Sequence, residues 1–286
     1  MNLLKQLLAL AGLAFVHSVA AQTYSIPLVW RGDSLGDVWN PHASLLLPVT
    51  PEGCNRTLYM QFDLGAPHSF FYKDQFTRAY PGQPVGDTLS GLRLRIGMMD
   101  KVFGSIPLRP VAGSADVVGT LGADILEGRV AVFDYPRSTL VLSDTTPASY
   151  PAPTHPCFIG GGRIFLPSVI GGKQTLLYFD TGSSAFELLT DSATWGQMAD
   201  PGATPVTYPV NSWGKTLQAH TVRTSDSVTI AGLQLPLRRV TYIEGADTTQ
   251  AAQMRRMGIG GMTGNVLFLH VALVLDMRRR LFALTP

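Results

Sequence analysis

Two stretches of sequence decide the fold: Thr57-Leu-Tyr-Met-Gln-Phe-Asp-Leu-Gly-Ala66 and Gln174-Thr-Leu-Leu-Tyr-Phe-Asp-Thr-Gly-Ser183. Each is a short apolar run that ends in Phe, followed by Asp, one further residue, Gly and a small residue. Runs of this length with aromatic and aliphatic side chains are typical of β-strands. An Asp directly after such a strand, with Gly two positions on, projects a carboxylate from a tight turn. The sequence therefore predicts two similar loops, at Asp63 and Asp180.

A second pair of similar segments follows in the same order. Residues 118–142 run from Val-Gly-Thr-Leu-Gly through Val-Ala-Val-Phe-Asp to Leu-Val-Leu, and residues 260–284 repeat this pattern with small changes. Two matched blocks in one order indicate an internal duplication, in which the second copy has gained residues in its middle. We predict an N-terminal lobe over residues 22–146, a linker over 147–156 and a C-terminal lobe over 157–286.

The composition favours a mainly β protein of two lobes. The chain has 286 residues, of which 45% are hydrophobic and 15% charged, a length that exceeds one small core. Its 29 Gly and 20 Pro are spread between short apolar runs, as turn residues are. Convincing helical patterns are scarce, and the best ones cover residues 191–199, with Asp191 or Ser192 as N-cap, and 248–257. The predicted fold class is all-β.

Charge and residue spacing exclude several classes of function. A net charge of +2 gives no reason to expect nucleic acid or an anionic membrane as partner. The six histidines lack the spacing of metal ligands, and the Gly-rich segments lack the context of a phosphate-binding loop. We therefore expect no metal and no cofactor.

The first 21 residues resemble a cleaved signal peptide. Lys5 precedes a short apolar stretch, and Val19-Ala20-Ala21 offers the small residues of a cleavage site. We expect an exported protein, secreted or periplasmic, with no membrane span in the mature chain. In such a compartment Cys54 and Cys157 could form a disulfide, although two free thiols fit the sequence as well.

The second loop, Phe179-Asp-Thr-Gly-Ser-Ser184, resembles the active-site loop of the pepsin-like and retropepsin-like aspartic peptidases. The first loop, Asp63-Leu-Gly-Ala66, is a weaker match. Leu121-Gly122 and Thr263-Gly264 resemble the segment that passes behind each loop in this family, with Thr263 as a departure. The 59 positions between Asp63 and Gly122 correspond to a compact lobe of retropepsin size. The resemblance implies a two-lobed acid-protease fold with a cleft between its lobes.

The resemblance also implies the chemistry. In this family two Asp carboxylates bind one water and share a proton because two such close negative charges cannot both ionise easily. By resemblance, Asp63 and Asp180 are the catalytic pair of an aspartic endopeptidase, and the residues that support the loops or contact substrate are Gly65, Thr181, Gly182 and Ser183. The expected partner is a peptide or protein substrate, and the expected state is a monomer without metal or cofactor.

Two departures from the family bear on activity. Leu64 stands where the family has Thr or Ser, whose hydroxyl ties one loop to the other, so only Thr181 can make its half of that contact. The family also closes its cleft with a hairpin flap that often carries Tyr, whereas our flap candidate, Ser90–Phe103, contains none. The alternative function is accordingly a catalytically inactive exported protein that binds peptide or protein on the same scaffold.

Overall fold

The computed structural model describes residues 22–286, apart from 82–85, 112, 115, 213–214, 246–253 and 255. The predicted signal peptide and most of the helix predicted over 248–257 lie outside the described residues.

The first half of the chain forms ten strands and a helix among the described residues. They are β1 (Thr23–Pro27), β2 (Val29–Leu35), β3 (Val38–Pro51), β4 (Leu58–Phe62), β5 (Phe70–Tyr72), α1 (Lys73–Ala79), β6 (Thr88–Ile96), β7 (Met99–Arg109), β8 (Val117–Leu121), β9 (Val130–Asp134) and β10 (Thr139–Ser143).

The second half is again mainly strands. They are β11 (His155–Pro156), β12 (Phe158–Gly160), β13 (Arg163–Ile170), β14 (Lys173–Phe179), β15 (Leu189–Thr190), α2 (Ser192–Met198), β16 (Val206–Ser212), β17 (Lys215–Arg223), β18 (Ser227–Ile230), β19 (Leu233–Pro236), β20 (Arg239–Glu244), β21 (Ile259–Thr263), β22 (Ala272–Asp276) and β23 (Leu281–Thr285). Short 3-10 turns occupy Ala123–Ile125, Thr181–Ser183 and Asn265–Phe268.

Each lobe is built on one sheet that contains a loop-bearing strand. The first sheet has the order β2-β3-β4-β8-β5-β7-β6, and an additional pairing of β6 with β3 closes it on itself. The second has the order β16-β17-β20-β15-β21-β14-β13-β18-β19, with β12 paired to β13. In both sheets the strand that leads into the Asp runs parallel to a later strand, β4 beside β8 and β14 beside β21.

A third sheet of six strands joins the lobes, in the order β1-β10-β9-β22-β23-β11. Its centre is the antiparallel pair β9 and β22, which are the repeated strands of the second matched block, with Val132 opposite Val274. Strand β1 pairs with β10 at one edge, and β11, at the end of the predicted linker, pairs with β23 at the other. The predicted two-lobed all-β fold with compact lobes is thus confirmed.

Four phenylalanines form a continuous aromatic row beneath the two Asp loops. Phe62 ends β4 and stacks on Phe133 of β9, with ring centroids 5.7 Å apart. Phe133 contacts Phe179, the last residue of β14, edge-to-face at 5.6 Å, and Phe179 contacts Phe268 at 5.3 Å. All four are fully buried. Because aromatic pairs hold specific geometries in a close-packed interior, this row fixes the strand ends that carry the two Asp residues.

The flap candidate Ser90–Phe103 is wrong as a cover for the cleft. The segment does form a hairpin of β6 and β7, but its turn packs against β1 of the joining sheet. The Gly97 N–H donates to the Pro48 carbonyl (3.0 Å), and a Cβ at Gly97 would lie 3.1 Å from Ile26 of the joining sheet. The pairing of β6 with β3 causes this, because it draws the end of the hairpin towards the far end of β3.

The two cysteines are separate thiols in the structure. Cys54 lies half-buried in the turn between β3 and β4, and Cys157 is buried where the second lobe begins. Burial raises the pKa of the Cys157 thiol to about 11, so this sulfur remains protonated and unreactive. Of the two alternatives that the sequence left open, the structure has the free thiols.

Helix α2 forms within the predicted range. The Asp191 side chain caps it by accepting from the backbone N–H groups of Ala193 and Thr194, each at 3.0 Å. Among the described residues, no helix has the length and apolar character needed to cross a bilayer.

Candidate active site

The two predicted Asp residues occupy equivalent positions at the ends of β4 and β14. The Asp63 N–H donates to the Leu121 carbonyl (3.0 Å), and the Asp180 N–H donates to the Thr263 carbonyl (2.9 Å). This support uses only the backbone of position 263, so the unusual Thr263 side chain does not disturb it. That hydroxyl instead donates to the carbonyl of Glu187 at 2.8 Å.

The carboxyl groups of Asp63 and Asp180 lie side by side, close enough for the Asp180 carboxyl to raise the pKa of Asp63. Each residue is only 8% exposed. Glycine makes the approach possible, because a Cβ at Gly182 would lie 2.4 Å from Oδ1 of Asp63, and one at Gly65 would lie 2.9 Å from Oδ1 of both Asp residues. The structure therefore brings together both predicted carboxylates and both predicted loop glycines.

Hydrogen bonds to the two carboxyl groups are not symmetric. In each loop the glycine N–H donates to its own Asp, from Gly65 to Asp63 Oδ1 (2.8 Å) and from Gly182 to Asp180 Oδ1 (2.9 Å). The Ser183 hydroxyl donates a further bond to Oδ2 of Asp180 (3.1 Å). Ala66 occupies the matching position of the first loop and has no hydroxyl to donate. Among the described contacts, Asp180 thus accepts a side-chain hydroxyl bond that Asp63 lacks.

The pKa of Asp63 is raised to about 7, well above its usual range. The largest cause is burial, which disfavours the charged form; the negative charge of Asp180 and the hydrogen bond between the two carboxyls add to it. Below about pH 7 the two carboxyl groups therefore share one proton.

Thr181 ties the two loops together with one hydroxyl. Its Oγ1 accepts from the Leu64 N–H (2.9 Å) and donates to the Phe62 carbonyl (2.8 Å), so it bonds the residues on both sides of Asp63. Thr181 is fully buried. As the sequence predicts, Leu64 makes no matching contact in return. Its fully buried side chain packs in the main hydrophobic core.

Three supporting features gave no clear signal in the sequence. Asn265 and Tyr135 lie behind the Asp180 loop and are hydrogen-bonded to each other (2.7 Å). The hairpin of β2 and β3 extends from the first lobe to the second, where a Cβ at Gly36 would lie 3.0 Å from Cβ of Tyr208 in β16. The additional residues of the second copy form the β16–β17 hairpin. The only sequence signal for this hairpin was the larger spacing between the matched blocks of the second copy, which places extra residues in its middle.

The described part of the chain contains no cluster of three or more His, Cys, Asp or Glu side chains arranged to hold a metal ion. The chemistry available at the site is that of two coupled carboxyl groups, with backbone N–H groups and a serine hydroxyl around them.

The fold itself is similar to that of a pepsin-like aspartic proteinase. Among solved structures, the chain is similar to the aspartic proteinase from Irpex lacteus, with a TM-score of 0.55 and 12% sequence identity. The alignment covers 92% of this chain and 97% of the fungal enzyme. No protein-family model matches the sequence, and the search of curated proteins found no match.

Proposed function

We propose that the protein is an aspartic endopeptidase that acts through the Asp63–Asp180 pair. The observation that carries the proposal is the contact between the two buried carboxyl groups, with the raised pKa of Asp63 that follows from it. A pair of carboxyls that shares one proton can act as acid and base in the same step. The fold of the Irpex lacteus enzyme supports the same assignment of the scaffold.

The asymmetry of the hydrogen bonds suggests how the roles divide. The Asp180 carboxylate, held by Ser183 and the Gly182 N–H, takes a proton from a bound water. The water oxygen then bonds to the scissile carbonyl carbon, while Asp63 donates its proton to the carbonyl oxygen. Asp180 then passes its proton to the amide nitrogen, while one hydroxyl of the resulting gem-diol returns a proton to Asp63; the C–N bond breaks and two peptides are released, with the carboxyl pair back in its starting state. Because the two carboxyls titrate together, measured pKa values will belong to the pair.

The test is incubation of a mixed peptide library with the mature protein between pH 3 and pH 8. We expect internal cuts that decline as the pH rises through about 7, where Asp63 loses its proton, and that are absent with Asp63→Asn and Asp180→Asn. Cuts that persist in both Asn variants would refute the pair as the catalytic group.

Replacing Ala66 by Ser is expected to lower the pKa of Asp63. The new hydroxyl would repeat the contact that Ser183 makes with Asp180 and would favour the charged form of Asp63. The upper pH limit of cleavage should then move down by up to about one pH unit. Ser183→Ala is the matched control, because it removes the existing hydroxyl from the other loop. An unchanged pH profile in Ala66→Ser would contradict the role given to the missing hydroxyl.

Leu64 favours a second candidate function, the binding of peptides without cleavage. Folded protein that retains library peptides but cuts none at any pH would support this candidate. Leu64→Thr then supplies a hydroxyl that can make the matching contact to the other loop. If this variant cleaves peptides that the wild type only binds, Leu64 is the cause of the inactivity. The substitution removes buried apolar volume and is expected to cost about 2 kcal/mol of stability, which a folding control must measure.

Our proposal for the cellular setting comes from the sequence alone. An exported monomer, released by removal of residues 1–21, would meet peptide or protein substrates outside the cytoplasm. Detection of the mature protein with Gln22 at its N-terminus in an extracellular or periplasmic fraction would test this.

A further inference from the structure

Asn265 is a fully buried polar residue that the chemistry above does not use. It follows Gly264 at the end of β21, the strand that runs parallel to the one leading into Asp180. In the first lobe the residue after the matching glycine is Ala123, which has no polar side-chain atoms. A buried amide is costly unless its hydrogen bonds are made, so its partners indicate its purpose.

The Asn265 side chain bonds to the Asp180 loop at two points. Its Nδ2 donates to the Thr181 carbonyl and to the Ser184 hydroxyl oxygen, each at 3.0 Å. Thr181 directly follows the proposed catalytic Asp, and its hydroxyl makes the bonds to the other loop. The amide therefore holds both ends of the turn that orients Asp180.

The same side chain reaches the first lobe. The Tyr135 hydroxyl donates to Oδ1 of Asn265 at 2.7 Å. The Thr181 carbonyl settles the orientation of the amide, because a carbonyl can only accept and a reversed amide would turn its own oxygen towards it. Burial raises the pKa of Tyr135 well above its usual value, so the phenol keeps the proton that it donates.

Ser184 extends the network to a second point on the first lobe. Its hydroxyl accepts from Asn265 and donates to the His42 carbonyl in β3 (2.8 Å). Tyr135 and His42 are far apart in sequence but both belong to the first half of the chain. The Asp180 loop is thus fixed to the opposite lobe by two hydrogen-bonded paths that meet at Asn265.

Among the described residues, the glycine behind the first loop bonds within its own lobe. Its N–H, at Gly122, donates to the hydroxyl of Ser69 (3.0 Å), which in turn donates to Asp124 (2.6 Å). These three residues lie within the first lobe, so they support the Asp63 loop without linking it to its partner. Across the loops themselves, the Leu64 side chain makes no polar contact, and the described hydrogen bonds to the residues beside Asp63 come from the Thr181 hydroxyl and, at 3.4 Å, from the Tyr178 hydroxyl to the Leu64 carbonyl.

We propose that Asn265 is a positioning residue that aligns the Asp180 loop with Asp63, in place of the contact that Leu64 cannot make. It acts through Thr181 and Ser184 and touches no reacting atom. This inference rests on the proposed peptidase function, but its effect on the geometry of the carboxyl pair can be measured without any substrate.

The kinetic test compares Asn265→Leu, which conserves most of the volume, with the wild type. Displacement of a reacting group by about 1 Å can reduce a rate by about 100-fold, so we expect kcat to fall by about 10- to 100-fold with KM changed less than about twofold. Tyr135→Phe should cause a smaller loss in the same direction. The double variant should be no worse than Asn265→Leu alone, because both changes break one path. If the loss of kcat in the double variant were the product of the losses in the two single variants, Tyr135 and Asn265 would act independently, which would contradict the proposed path.

Ser168→Ala is the matched control for the loss of a buried polar group. Ser168 is 5% exposed and donates to the Leu166 carbonyl within β13, without contacting either loop. It should alter stability but not kcat. If Asn265→Leu loses stability to a similar degree and keeps wild-type kcat, Asn265 is structural only and the proposal fails.

A second measurement needs no peptidase activity. Separation of the carboxyls should lower the raised pKa of Asp63, since the charge of Asp180 and the bond between them contribute to it. The loss of wild-type stability between about pH 4 and pH 7 should therefore shrink in Asn265→Leu and persist in Ser168→Ala. If the wild type cleaves nothing, the proposed function fails while this comparison still decides the positioning role. An unchanged pH dependence in Asn265→Leu would overturn it.

Discussion

Asp63→Asn is expected to reduce kcat/KM for any cleaved peptide by at least about a thousandfold, and Asp180→Asn by a similar factor. Asn is nearly isosteric with Asp but can neither gain nor lose a proton at the working pH, so the acid or the base of the pair is removed. Because the two carboxyls act as one unit, the double variant should be little worse than either single variant. Steady-state kinetics at about pH 5 would measure these losses.

Asp63→Asn should also change how stability depends on pH. The folded pKa of Asp63, about 7, lies above its ordinary value of 3.8, so the folded state binds the proton more tightly than the unfolded state. The resulting stabilisation is complete below about pH 4 and is lost as the pH rises through 7. It amounts to about 4 kcal/mol for a shift of this size. Denaturant unfolding from pH 4 to pH 7 should show this loss in the wild type and not in Asp63→Asn.

Asp276→Asn is the control for these variants. Asp276 is a buried Asp at the end of β22, where it accepts from the N–H groups of Arg278 and Arg279. It is remote from the pair and should leave kcat/KM within about twofold of the wild type. Residual activity above one-tenth of wild type in Asp63→Asn would show that the reaction does not depend on this carboxyl.

Gly182→Ala should remove activity without altering any ionisable group. A Cβ at this position would lie 2.4 Å from Oδ1 and 2.5 Å from Cγ of Asp63, distances that no real packing allows. The new methyl must push the Asp63 carboxyl from its partner, which breaks the shared hydrogen bond. We expect at least a 100-fold loss of kcat/KM and about 1–3 kcal/mol of lost stability from overpacking.

Gly196→Ala is the matched control, in the middle of α2. A Cβ there would meet no atom within 4 Å, and alanine is the better helix former by about 1 kcal/mol. This variant should keep full activity and gain slight stability. Wild-type activity in Gly182→Ala would mean that the two loops are not in contact in solution. It would contradict the assignment of Asp63 and Asp180 as the catalytic pair.

Much of the fold was predictable because its signals are local. Alternation within β4, where Leu58, Met60 and Phe62 are buried, marks a strand in five residues. The repeat of Phe-Asp-x-Gly, together with its second matched block, predicted that two similar lobes would each present one carboxylate. The meeting of Asp63 and Asp180 agrees with the resemblance that these residues carry.

The incorrect prediction concerned the position of one hairpin in the fold. The sequence predicted a hairpin over Ser90–Phe103 correctly, but its turn packs against Ile26 and not over the carboxyl pair. The pairing of Val49 with Ile96, 47 positions apart, decides that position. No pattern within either strand shows which distant strand will be its neighbour.

The sequence by itself determined the strand ends, the glycines that permit close approach and the asymmetry between Leu64 and Thr181. Only the tertiary structure decided what surrounds them. It placed Tyr135 against Asn265 across 130 positions, kept Cys54 and Cys157 apart, and buried Asp63 beside a second carboxyl so that its pKa rises. The physical reason is the sequence separation over which each interaction acts. Side-chain periodicity and turn preference act over a few residues, whereas burial, charge coupling and buried hydrogen bonds depend on groups that meet only when the chain has closed on itself.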